Sequence, residues 1–184
     1  MEAEPRAARG RSEPHDPGRV DARALGRVRR DQPGPLLRCG RAPLARPGNR
    51  FWKALYGAGF TERVWSPFQD RDLPTIGLGI TNLVDRTTAS AGELAADELR
   101  TGRARLERKV ARHRPRIVAI LGITAYRTGF DRPAAVLGRQ PVDLGGVPAW
   151  VLPNPSGLNA HHQIDDLVRR FSELRAAASR RPRA

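Results

Sequence analysis

The sequence predicts an α/β domain with a mainly parallel sheet covered by helices on both faces. From about Asn49 onward, β-rich apolar runs alternate with amphipathic helical patterns. The clearest run, Arg116–Gly122, is apolar throughout, as a strand covered on both faces should be. A chain of 184 residues is long enough for one such domain with a real core and too short for two comfortable ones.

The elements follow in order. Asn49 is a candidate N-cap, and Phe51, Trp52, Leu55 and Tyr56 lie at helical spacing before Gly57 and Gly59 end the helix. Phe60–Pro67 reads as a short second helix or a turn. Ile76–Val84 is a β-rich apolar run suited to a buried strand, with Asn82 at its end as a buried amide that needs a hydrogen-bond partner. A polar loop, Asp85–Ser90, leads to a helical pattern from Gly92 to His113, with Leu94, Leu99, Leu106 and Val110 facing inward. After Arg116–Gly122, a helix runs from Ile123 to near Gly129. Val142–Gly146 reads as a small hairpin or turn, and Val147–Leu152 is the last strand. Ile164, Leu167, Val168, Phe171 and Leu174 then mark an amphipathic C-terminal helix ending in a basic tail.

Between that last strand and that helix lies Val151–His162, a loop of prolines, a glycine and short polar side chains carrying one large apolar residue, Leu158. On pattern alone it is an ordinary strand-to-helix connection. In a parallel sheet, however, ligands sit at the carboxyl ends of the strands. The loops after Val84, Leu121 and Leu152 should therefore share one edge, bringing together Asn82, Thr87, Gly122 and the loop from Asn154 to Asn159.

The formal charge is +14, which points to a polyanionic partner, nucleic acid before membrane. The charge is almost all arginine, with lysine only at Lys53 and Lys109, and alanine, glycine and proline are plentiful. GC-rich coding produces that composition by itself. The single cysteine, Cys39, excludes an intramolecular disulfide and a cysteine-based zinc site, and His15, His113, His161 and His162 show no metal-ligand spacing. No apolar run reaches the length of a membrane span, and no signal-peptide core is present, so a cytoplasmic protein is expected.

Four segments together resemble the mismatch-specific uracil-DNA glycosylases, relatives of the thymine-DNA glycosylases. They are Arg46-Pro47-Gly48-Asn49-Arg50-Phe51-Trp52, Gly57-Ala58-Gly59-Phe60-Thr61, Gly77 through Thr88, and Leu152-Pro153-Asn154-Pro155-Ser156-Gly157-Leu158. The resemblance covers Ala45 to about Ala178. It implies a three-layer α/β/α sandwich and removal of uracil, or a related base, from a mismatch with guanine. The target base must leave the stack, at a cost of a few kcal/mol that is least for a mispair. By the same resemblance Asn154, Pro155, Ser156, Gly157, Leu158 and Asn159 form a DNA-binding wedge with Leu158 entering the vacated space. The resemblance also implies that Asn82 lies by the base pocket. Where relatives often carry an arginine two residues beyond the leucine, this chain has Ala160, which leaves plugging weaker or borrowed from Asn159 or His161. No metal or cofactor is implied. The implied partner is double-stranded DNA with G:U or G:T mispairs, and the protein is expected to be a monomer.

The family's catalytic element should precede Asn49: a first strand ending in G-I-N-P-G, whose asparagine positions the attacking water, then an aromatic residue that stacks on the base. Arg30–Leu44 carries neither, and Gln32, which overlaps the asparagine codon, offers no replacement. Read one base later, permitted codons for this stretch spell G-I-N-P-G-P-Y-S-A-A-A-G-H-H, ending where the in-frame resemblance begins. Residues 1–44 are therefore expected to be a disordered, frameshifted segment, arising from a sequencing error or a pseudogene. Residues 45–178 form the glycosylase-like domain without its first strand, and 179–184 a basic tail. The chain as written is expected to be inactive. Two other readings stand beside this one. The first is a non-catalytic mismatch- or DNA-binding protein. The second is an unrelated nucleotide-binding α/β domain, against which Gly77-Leu78-Gly79 lacks the third glycine of a phosphate loop.

Overall fold

The computed structural model describes residues 44–46, 48–84 and 94–180. Helix α1 (Phe51–Gly57) starts where the Asn49 side chain accepts a hydrogen bond from the Phe51 N–H at 2.9 Å. It buries Phe51, Trp52, Ala54 and Leu55. A 3-10 helix (Pro67–Ile76) follows, opened by the Ser66 hydroxyl accepting from the Phe68 N–H and the Gln69 side chain accepting from the Ser66 N–H. It stops at Gly77, whose φ of 75° is a left-handed conformation suited to glycine. The pattern had singled out Phe60–Pro67 as helix or turn. That stretch is bends over Phe60–Arg63 and irregular to Ser66, and the helical turns begin at its last residue, Pro67.

Helix α2 (Ala96–His113) buries Leu99, Gly102, Leu106 and Val110 along one stripe. Strand β1 (Val118–Leu121), helix α3 (Ile123–Gly129), strands β2 (Gly138–Arg139) and β3 (Ala149–Leu152), and helix α4 (Ile164–Ser179) complete the order. The three strands form one mixed sheet in the order β1-β3-β2. β1 pairs parallel with β3, Val118 opposite Ala149 through Leu121 opposite Leu152, and β2 is antiparallel to β3. The hairpin at 142–146 is a single bridge between Leu144 and Val147 around Gly145 and Gly146, both with positive φ. β2 escaped the sequence reading because two residues carry no periodic pattern.

Side chains alternate across the sheet and divide the core. Leu152 packs with Phe51, Trp52, Leu55, Leu73, Leu167 and Phe171, under α1 and α4. Ala149, Val151 and Ile120 pack with Leu106, Val110, Tyr126 and Phe130, under α2 and α3. The fold is α/β, with a small mixed sheet between these clusters.

One expected strand does not form. Residues 77–84 are irregular, with bends at 83 and 84, and belong to no ladder, and Asn82 is exposed where a buried amide was expected. Among the described residues no strand lies alongside to accept its hydrogen bonds. The segment is held by side chains instead. Leu78 and Ile80 pack on the first cluster and Leu83 on the second. Lys109 donates to the Thr81 hydroxyl at 3.1 Å, and the Leu83 carbonyl sits against Gly102. Contacts passing from residue 109 to residue 102 mean that the segment runs antiparallel to α2, the direction expected of a strand but without its pairing. Asp85–Ser90, including Thr87, lies outside the described residues, as do Gly92, Glu93, the segment before Leu44 and the tail from Arg181.

Gly102 makes that docking possible. A Cβ there would stand 2.1 Å from the Leu83 carbonyl oxygen. Alanine favours a helix over glycine by about 1 kcal/mol, but an overpacked backbone contact costs about 1–3 kcal/mol, so the clash should win. Gly102→Ala is expected to lower stability in urea unfolding, the reverse of the usual effect of this substitution in a helix.

Candidate nucleic-acid interface

The loop after β3 is built on the carboxyl edge of the sheet. Its first residues are anchored: Pro153 and Pro155 are among the most fully buried side chains. Gly122, at the end of β1 with φ 111°, donates to the Leu152 carbonyl at 2.8 Å, and its missing side chain faces the Asn154 Cβ. The ends of β1 and β3 therefore share one edge.

Beyond Asn154 the chain bonds to itself. The Asn154 carboxamide oxygen accepts from the Ser156 N–H at 3.0 Å, and the Ser156 hydroxyl accepts from the Leu158 N–H at 3.3 Å. The Asn159 side chain donates to the Asn154 carbonyl at 2.9 Å, while its own oxygen accepts from the His161 N–H at 3.2 Å. At the apex Leu158 is 80% exposed, a large apolar side chain lifted off a hydrogen-bonded frame.

Arg50 closes the frame from beneath. Its guanidinium donates to the carbonyls of His162 and Ser156, each at 2.6 Å, and of Asn159 at 2.9 Å. Its backbone N–H donates to the Pro155 carbonyl at 2.9 Å. A planar cation with several donors suits three converging carbonyls, where lysine offers only a point charge. The neighbouring backbones also touch: a Cβ on Gly157 would lie 2.7 Å from the Gly48 carbonyl oxygen. The sequence reading missed Arg50. Its one signal was its place in the Arg46–Trp52 motif, at the entrance to a helix where no cation is needed for the helix itself.

On the far side the loop joins α4 through His162, whose ring pairs with the Asp166 carboxylate; Asp166 also accepts from Arg169. The His162 hydrogen bond, helped by Arg169 and opposed by burial, holds the Asp166 carboxyl below its ordinary value. Among the described residues no three His, Cys, Asp or Glu side chains gather as metal ligands would, and no helix is long and apolar enough to cross a membrane.

The wedge candidates Asn154, Pro155, Ser156, Gly157, Leu158 and Asn159 thus form one continuous, cross-bonded unit. Ala160 and His161 are exposed beyond it. Asn82 is exposed on the unpaired segment against α2, and Gln32 lies outside the described residues. Within the described part, this edge offers shape and hydrogen-bonded rigidity, with its one histidine–carboxylate pair engaged in fixing the start of α4.

The domain thus carries a cross-bonded, leucine-tipped loop at the carboxyl ends of β1 and β3. The chain belongs to the uracil DNA glycosylase superfamily, whose family model matches residues 16–176. The match begins ahead of residue 45, where the recognisable motifs start. Members of this superfamily are DNA glycosylases, hydrolases that act on DNA at uracil-type lesions.

Two outcomes follow from this geometry. Arg50→Met removes three charge-assisted hydrogen bonds, each worth about 1.5–3 kcal/mol in general. Amide exchange at Asn159 should then accelerate roughly tenfold or more, while the amides of β1 and β3 keep their protection. For Asp166 the lowered carboxyl value means its stabilisation is complete above the ordinary carboxylate range and is lost as pH falls through its folded-state value. Thermal unfolding below about pH 4 should therefore show a shallower acid limb in Asp166→Asn than in the unaltered chain.

Proposed function

We propose that the protein is of the mismatch-directed kind: a repair glycosylase that flips uracil, or a related base, out of G:U or G:T pairs and hydrolyses its N-glycosidic bond. The observation that carries this is the Asn154–Asn159 loop, rigidly framed and clamped by Arg50, with Leu158 standing 80% exposed at its tip. A leucine so presented can occupy the gap left by an extruded nucleotide, and the small residues around it let the backbone approach the duplex. Asn82 serves the base pocket, approached along the segment that docks on α2. The parent architecture is a three-layer α/β/α sandwich, and the two core clusters on opposite faces of the sheet support it. The protein works as a cytoplasmic monomer on nucleoid DNA, with no cofactor.

Cleavage passes through an oxocarbenium-like sugar while the base leaves as an anion, so the site must position one water and stabilise the departing base. The family's asparagine and stacking aromatic would do this, and neither stands in frame between Arg30 and Leu44. The chain as written is then a mismatch-binding protein with little or no cleavage, through a reading-frame shift before about Leu44. The same absence favours the second reading, a protein that binds mismatched DNA without chemistry.

A U:G duplex assay separates these. The chain as written should release no more uracil than a blank, while a protein translated with the G-I-N-P-G frame restored should release it readily. Robust release by the chain as written would sink the account of its first 44 residues, and so would a confirmed nucleotide sequence in which no shifted frame encodes G-I-N-P-G. In either protein, Leu158→Ala should weaken the preference for mismatched over matched duplex by roughly tenfold, a loss of about 1.4 kcal/mol.

A further inference from the structure

A second charged surface lies at the opposite pole of the sheet. β1 and β3 are parallel, α2 precedes β1 and α4 follows β3, so the last turns of both helices lie where the two strands begin. Two contacts fix this. Arg116, at the entrance to β1, donates to the Ala178 carbonyl near the end of α4 at 3.3 Å. A Cβ on Gly145, in the turn that leads to β3, would lie 2.8 Å from the Glu107 carbonyl and 3.1 Å from the Ala111 nitrogen. The pole therefore gathers Arg108 and Arg112, one helical turn apart, with Arg114, Arg116 and Arg180, all exposed.

The charges do not cancel locally. Glu107 is taken by Arg103 at 2.9 Å, and Glu173 by Arg170 at 3.3 Å and Arg169 at 3.6 Å. Asp143, on the adjoining turn, is an exposed acid and is counted against the group. Each helix carboxyl end carries about half a negative charge, so two helix ends and Asp143 offset about two of the five arginine charges. An excess of roughly three positive charges remains, more than helix capping requires. Among the described residues the side chains of Arg108, Arg112, Arg114 and Arg180 make no hydrogen bond or ion pair. Beside Arg114 opens a cleft of about 460 Å³, lined also by Pro115, Gly145, Gly146 and Pro148 among others, with no carboxylate in its wall.

We propose that this arginine pole is a second polyanion-binding surface, which grips the phosphate backbone of duplex DNA away from the Leu158 edge. Guanidinium forks suit phosphate oxygens, and such contacts position a protein on a duplex without reading its sequence. A membrane is the less suited partner, because the adjoining turn exposes one large apolar side chain, Val142, for insertion. The surface faces away from the leucine loop, so one molecule can hold a second segment of DNA. It can then pass between segments by electrostatic contact rather than by full release.

The test uses the full chain and the triple variant Arg108→Gln, Arg112→Gln, Arg114→Gln, whose matching thermal melts establish that it folds. Binding to a matched duplex is followed by fluorescence anisotropy from low to moderate salt. Loss of three phosphate contacts should make the slope of log K against log salt shallower by about 2–3. The unaltered chain should also bring two differently labelled duplexes into energy-transfer range, and the variant should not. An unchanged slope, bridging that persists in the variant, or no duplex binding by the unaltered chain would each overturn the proposal. So would a variant that keeps its DNA slope and loses binding to phosphatidylserine vesicles. The result is independent of mismatch recognition. If the unaltered chain shows no mismatch preference while the triple variant still loses slope, the proposed function fails and the arginine pole stands.

Discussion

The guanidinium of Arg50 is the contact on which the leucine loop depends. It joins segments more than a hundred residues apart in sequence, taking carbonyls from Ser156, Asn159 and His162 at 2.6, 2.9 and 2.6 Å. Removing a partner from such a partly buried set leaves several acceptors without donors, which costs more than the bonds themselves contribute net. The clamp also couples the loop to the core. Arg50 stands at the entrance of α1, Phe51 beside it packs edge-on against Phe171 of α4 at 5.9 Å, and α4 begins where the loop ends. Start, loop and final helix are thus one mechanical unit.

That unit explains how so apolar a side chain can be displayed in water. Leu158 is held out by bonds beneath it, from Asn154, Ser156 and Asn159, rather than by packing of its own. Polar satisfaction substitutes for burial, and the backbone groups that would make an irregular loop unfavourable are largely paired within it. The prolines at 153 and 155 add to this by narrowing the unfolded ensemble as well as by filling the core.

How much was legible in the sequence depended on whether the signal was local. β1 and β3 announced themselves through apolar runs, and α2 and α4 through helical periodicity. The leucine loop was visible because its composition is unusual and it joins a strand to a helix. What failed was pairing. Ile76–Val84 has strand composition, but a strand is defined by a neighbour, and composition cannot say whether one is present. Its end residue Asn82 went wrong for the same reason: buried by expectation, exposed in fact. Arg50 was invisible for a related cause, because its partners are backbone carbonyls from a distant loop, and carbonyls have no sequence identity.

The alternation along β3 has a consequence for length. Ala149 and Val151 serve the core under α2 and α3, while Leu152 serves the core under α1 and α4. Ala149 is 1% exposed, so putting the indole of Trp150 in its place would overpack a close-packed core. Gaining or losing a single residue inside this strand would exchange the two faces at every position beyond it. It would also rotate everything downstream by half a turn, carrying Pro155 off the Arg50 backbone and Leu158 off the edge. β3 is thus the ruler from which the loop is measured out: a surface position may vary in kind, but the count between Ala149 and Leu158 is fixed by the packing on either side.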